Sequence, residues 1–240
     1  AMFATLRGPG LFRRAALGTA GAVALGLTGR HQAIALSSSS APSDAALGAL
    51  WGEAIDGMID VPGADELSHG GMLYLAPVGS AGTPPRPVKW PKLIGKSVVY
   101  SLTAWNPMGR DAPHEKNVEA NQRLQADLVD WKGNPSPRAW WHSFGFNEKE
   151  GWREEGFSVA FAPEERQYAR QYMQKLAYKY RQAAIYAYRV DRDGVLLREV
   201  VWTNEEKHGR NSEEPMAVLT QPPQSKLAGR VDGAGSSSKG

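Results

Sequence analysis

The 240-residue sequence contains no cysteine. That excludes disulfides, thiolate nucleophiles and cysteine-based zinc sites. It has no apolar run long enough to cross a bilayer, since the stretch from Ala15 to Gly29 is short and rich in glycine, so no transmembrane span is expected. There is no glycine loop for phosphate, no dinucleotide fingerprint and no nucleophile-elbow serine. His31, His69, His114, His142 and His208 are scattered, with no two at the spacing that puts metal ligands on one helix face. Neither a metal nor a cofactor is therefore expected. Charge of one sign is also lacking: 28 basic residues stand against 25 acidic ones, for a net +3. Part of that excess falls in the first forty-odd residues, which leaves a nearly neutral body. Such a body is a poor match to a polyanion, and nucleic-acid binding is not expected.

Acidic residues are absent from residues 1–43, whereas Arg7, Arg13, Arg14 and Arg30 are present. A basic head, a short apolar run and Ala33-Ile-Ala35 form the pattern of a targeting segment over residues 1–41. Arg13-Arg14 ahead of the apolar run fits twin-arginine export into a thylakoid lumen or periplasm. An arginine-rich organelle presequence for a chloroplast or mitochondrion fits as well, and both readings stay open.

The remainder divides into three parts. Residues 42–92 begin with a helical apolar face (Leu47, Leu50, Trp51, Ala54, Ile55, Met58) and continue as a Gly/Pro-rich connector with a short strand at Met72–Leu75. Residues 93–205 read as a compact domain. β-Branched and aromatic runs predict strands at Ser97–Trp105, Ala139–Phe146, Phe157–Phe161, Ala183–Val190 and Val195–Thr203, the last two joined by the hairpin turn Asp191-Arg-Asp-Gly194. Helices are predicted over Pro113–Trp131 and Pro163–Tyr180. Residues 206–240 read as a polar, disordered tail. The β-α-β-β-α-β-β order predicts an α+β fold: two helices on a mostly antiparallel sheet, ferredoxin-like with an extra edge strand.

Polar residues interrupt this pattern at one junction. Asn117 and Asn121 extend the apolar helix line of Leu124, Leu128 and Trp131, just after the turn Asn106–Arg110. A buried amide left unpaired costs about 1–3 kcal/mol, so these two must be hydrogen-bonded. They either fasten the turn to the helix or line a polar pocket at the helix N-terminus, where Arg110 would hold a small anionic ligand. Glu155 in Trp152-Arg-Glu-Glu-Gly-Phe157 is a candidate acid or base, and Gln182 is a polar marker at a strand entrance. Aromatic faces formed by Tyr186 with Tyr188, and by Trp140, His142, Phe144 and Phe146, read as core rather than as an RNA platform. Gly156-Phe-Ser-Val-Ala-Phe161 lacks the basic residue and aromatic spacing of an RNA-binding strand.

Several short blocks resemble a known group, the domain-of-unknown-function family numbered 3293. They are Thr103-Ala-Trp-Asn-Pro107, Glu115-Lys-Asn117 with Asn121-Gln-Arg-Leu124, Glu154-Glu-Gly-Phe157, and Gln182-Ala-Ala-Ile-Tyr186. Gly156 departs from the serine usual in that family. The resemblance covers roughly Val98 to Val201 and implies a small α+β domain of bacteria and algae without an established activity. Its polar positions correspond to Asn106, Asn117, Glu155 and Gln182, which implies one cluster.

With no complete catalytic constellation, the leading expectation is a non-catalytic binding or assembly module with a protein partner, in an organelle or exported compartment. The competing expectation is a small-molecule enzyme or sensor, its pocket at the 106–121 junction.

Overall fold

In the computed structural model the described residues are 51–81, 88–204 and 213–230. The two long helices form where the apolar spacing places them. Helix α1 (His114–Val129) follows Pro113 and buries Asn117, Leu124 and Leu128. Helix α2 (Arg166–Lys179) follows the single 3₁₀ turn Pro163–Glu165 and buries Ala169, Met173, Leu176 and Ala177. Both pack on one face of the sheet, over Tyr100, Leu102, Phe157, Val159, Phe161, Ile185 and Val201.

The sheet itself has eight strands: β1 (Ile55–Ile59), β2 (Met72–Pro77), β3 (Val98–Thr103), β4 (Ala139–Asn147), β5 (Trp152–Phe161), β6 (Ala184–Val190), β7 (Leu196–Trp202) and β8 (Glu213–Val218). Every pairing is antiparallel, in the order β1-β2-β8-β7-β6-β3-β5-β4, and β4 closes the ring on β1 through Ile55↔Phe146 to Met58↔Ser143. The fold is a closed antiparallel β-barrel with two helices outside it. This corrects the ferredoxin-like α+β expectation, which required an open sheet with an edge strand. Closure comes from strands drawn from outside the stretch 93–205. Ile55–Ile59 and Met72–Pro77 pair with each other, and Glu213–Val218 pairs with β2 and β7. Closure leaves no open edge for the extra strand.

The helical face expected over residues 43–58 becomes strand from Ile55 onward, and its first part lies outside the described residues. The targeting segment, the connector Thr83–Pro87 and the Ser/Gly-rich end also lie outside them. Among the described residues no helix is long and apolar enough to cross a membrane.

Strand alternation sorts side chains into two environments. One set points into the barrel. Met58, Leu73, Leu75, Val99, Trp141, Ala160, Tyr188, Leu196 and Met216 pack there with Val61 and Ile94 at one end. At the other end the interior turns polar. Outside the barrel, opposite the helices, the segment after β8 lies over β1, β2 and β4. Leu219, Leu227 and Ala228 cover Ile59, Tyr74, Phe144 and Phe146, and Tyr74 Oη donates to the Ala228 carbonyl at 2.7 Å.

Candidate functional site

The polar end of the barrel is built around two arrangements, one structural and one open. The structural one begins at the exit of β3. Asn106 and Met108 take left-handed backbone conformations, at φ 44° and 57°. Asparagine tolerates that region, whereas a methionine there costs about 1–2 kcal/mol. The turn is held by a dense set of hydrogen bonds. Asn106 N donates to Asn117 Oδ1 at 3.0 Å, and Asn117 Nδ2 donates back to Asn106 Oδ1 at 2.9 Å and to the Ala112 carbonyl at 3.3 Å. Asn121 Oδ1 accepts from Ala104 N at 3.4 Å. Gln182, buried at the entrance of β6, donates through Nε2 to the Trp105 carbonyl at 2.8 Å. The two helix asparagines and Gln182 thus fasten the turn to α1 and β6.

The open arrangement lies beneath it. A cavity of about 80 Å³ sits inside the barrel at this end. Eight strands enclose an interior just wide enough for side chains to fill it or for one small ligand. Here the filling is incomplete because the wall formed by β3 to β6 carries Ser101, Ser143, Gly145, Gly156 and Ala184. Asp56 and Met58 of β1 and Tyr186 and Tyr188 of β6 flank these small residues, and Trp51 and Trp152 also line the cavity.

Glu154 is its acid. The Glu154 side chain lines the cavity, and Asn106 Nδ2 donates to its Oε1 at 2.9 Å. Burial pushes its carboxyl up to about 7, against the pull of that Asn106 bond and with a small push from Asp111. Tyr188 is its unpartnered group. The ring is 1% exposed, and Oη lies beside the Asp56 carboxylate without a well-directed hydrogen bond to any described residue. A buried polar atom without a partner is uncommon enough to require an explanation.

The third element is a buried guanidinium. Arg198 is fully buried, and its donors reach Asp56 at 2.7 Å, Glu214 at 2.7 and 2.9 Å, and the carbonyls of Trp51, Gly52 and Ala54. It also lies over the Tyr186 ring, 4.5 Å from the centroid. Its donors are all engaged within the protein. Arg198 therefore ties β7 to β1 and β8 instead of offering a ligand site.

Of the candidates taken from the sequence, Gln182 lines the cavity and Asn106 reaches it through Glu154. Asn117 and Asn121 support the turn. Arg110 is exposed and is not among the residues lining the cavity. Glu155 points out of the barrel, where it pairs with Arg153 at 2.6 Å. That arginine stacks over Phe144 and donates to the carbonyls of Leu227 and Gly229, so Glu155 helps to hold the C-terminal segment. Sequence reasoning passed over Glu154 in favour of its neighbour, and passed over Tyr188, Asp56 and Arg198 as polar residues of the interior. A signal for Glu154 was present: Phe157, Val159 and Phe161 share a strand face with Glu155, which puts Glu154 on the opposite one. Tyr186 and Tyr188 line the barrel interior and form no exposed platform.

The fold and site define a class: a closed antiparallel barrel with a small, polar-mouthed internal cavity and one carboxyl poised near neutrality. Residues 102–185, about a third of the chain, match the family model described as "Protein of unknown function (DUF3293)". The family resemblance is thereby shown over that segment, which runs from the end of β3 to the start of β6 and contains Asn106, Asn117, Glu154 and Gln182. Searches of curated proteins and of solved structures return no match.

Proposed function

We propose that this chain is a small-molecule-binding protein that seats its ligand inside the polar end of the barrel, between Glu154 and Tyr188. The observation that carries the reading is Tyr188 Oη, a buried hydroxyl on the cavity wall that lies beside Asp56 yet makes no well-directed hydrogen bond to any described residue. A ligand atom or an ordered water in the cavity would satisfy it. Binding sites of this kind are concave, mostly apolar and equipped with a few placed polar groups.

The test is a thermal-shift screen of small polar molecules against the full chain, repeated with Ser143→Leu. That substitution fills the cavity without touching a described hydrogen bond. A ligand of the cavity raises the melting temperature of the parent protein by mass action and has no effect on the variant. A shift that survives Ser143→Leu places the ligand elsewhere and defeats the reading.

One observation favours a second reading, in which the bound molecule is also turned over. A carboxyl near 7 in a cavity is suited to general acid–base work, and Glu154 would be that group. Turnover that is abolished by Glu154→Gln while binding persists would separate the two readings. Delivery to an organelle or exported compartment is supported by the acid-free, arginine-bearing segment 1–43, and is tested by sequencing the N-terminus of the protein from its native source. An assembly role is supported by the long polar flanks and is tested by co-purification of a stoichiometric partner.

A further inference from the structure

We propose that the ligand of the barrel cavity is a small organic cation, an ammonium group on a short apolar body. The proposal rests on the cavity reading above and names the chemistry that the cavity would select.

The walls argue first by sign. Among the described residues that line the cavity there is no Lys, Arg or His, whereas Asp56 and Glu154 both line it. The nearby guanidinium of Arg198 is committed to Asp56, Glu214 and three backbone carbonyls, so it has no donor left for an incoming anion. Counting Glu214, three carboxyls at this end stand against one guanidinium once Glu154 ionises. A bound anion would meet uncompensated repulsion in a weakly screened site, and a cation would relieve it.

The polar atoms argue next by type. Among the described residues only Asn106 donates to Glu154, and it does so to Oε1. Oε2 is left as an acceptor, which matches an ammonium donor. Tyr188 Oη is a further acceptor on the same wall system. The remaining surface suits the rest of such a molecule. Trp51, Trp152 and Tyr186 supply aromatic faces, and the stacking of Arg198 on Tyr186 shows that this environment already accommodates a cation over a ring. Met58 and the small residues beside it leave apolar room for a short alkyl body. A carboxyl that burial makes reluctant to ionise alone gains most from a cation brought beside it.

The experiment uses three short molecules of matched shape and different charge: n-butylammonium, n-butanol and butyrate. Each is titrated into the full chain at pH 8 and low ionic strength, with the indole N–H signals of Trp51 and Trp152 followed by NMR. The expected result is saturable binding of butylammonium about tenfold or more tighter than butanol, with no binding of butyrate. Glu154→Gln keeps the acceptor for Asn106 and should bring butylammonium down to the level of butanol. If butanol or butyrate matches butylammonium in the parent protein, the cation assignment is overturned while the cavity reading stands. The same holds if the ammonium keeps its advantage in a folded Glu154→Gln variant. The charge comparison on the parent protein decides the matter even if that variant does not fold. If none of the three binds, both readings fall.

Discussion

Replacing Glu154 with glutamine should change how stability depends on pH, and the size of the change follows from the site. The Glu154 carboxyl moves from its ordinary 4.5 to about 7 in the folded protein, chiefly through burial. Between those two values the folded chain binds more protons than the unfolded one. The neutral carboxyl's contribution is therefore fully present below the ordinary value and is lost as pH rises through about 7. At about 1.4 kcal/mol for each unit, the full loss by pH 8 is about 3 kcal/mol, reduced to about 2 kcal/mol because the residue stays partly accessible. Glutamine cannot ionise, yet its Oε1 can still accept from Asn106 Nδ2. The variant should match the parent protein near pH 4.5 and exceed it by about 2 kcal/mol at pH 8, or about 1 M in urea midpoint. Urea unfolding of both proteins at half-unit pH steps measures this, and the other titrating groups cancel in the difference. A difference that stays constant from pH 4.5 to 8 would refute the argument that Glu154 is held in a desolvated wall.

Four other outcomes follow from the packing. Arg198→Met leaves Asp56 and Glu214 without their shared cation and should destabilise the protein by about 3–5 kcal/mol in chemical denaturation, with partial recovery on adding Asp56→Asn. Asn117→Ala removes three hydrogen bonds from the β3–α1 turn and should cost about 1–3 kcal/mol by the same measurement. Arg110→Ala, at an exposed position, should stay within about 0.5 kcal/mol of the parent. Gly57→Ala would place a Cβ 2.2 Å from the Phe144 ring, which is itself held under the Arg153 guanidinium, and should lower stability by about 1–3 kcal/mol in thermal unfolding.

The parts of the fold legible in the sequence are those whose information is local. Helix α1 shows its Leu124–Leu128 line, α2 its Ala169–Met173–Leu176 line, and β6 and β7 announce themselves through the Asp191–Gly194 turn. Barrel closure is not local. In β1 one of the two interior residues is Asp56, whose burial makes sense only with Arg198, far along the chain, and Gly57 breaks the apolar run further. In β8 the run Glu213-Glu-Pro reads as a polar tail, although Glu213 and Glu214 have arginine partners on β6 and β7. Charge pairs that identify these strands exist only once the strands are paired. The β3–α1 junction was visible because its asparagines broke an apolar stripe that the sequence displays. Glu154 was missed because β5 begins at Trp152, five residues earlier than its apolar run at Phe157, and the alternation that separates the two carboxyls was not carried back from that run.

The pairing of β2 with β8 also bears on when the molecule can be finished. Strand β2 has β1 on one side and β8 on the other, and β8 ends at Val218. On the ribosome, the backbone groups on the β8-facing edge of β2 must wait for nearly the whole chain to be made. At about 5–20 residues per second that interval lasts on the order of ten seconds or more. During that time the β4–β5 and β6–β7 hairpins can form while the barrel stays unsealed. Ring closure is then a late and slow event, of the kind that long sequence separations impose. Until β8 arrives, the edges of β2 and β7 that it will cover are open to pairing with another chain.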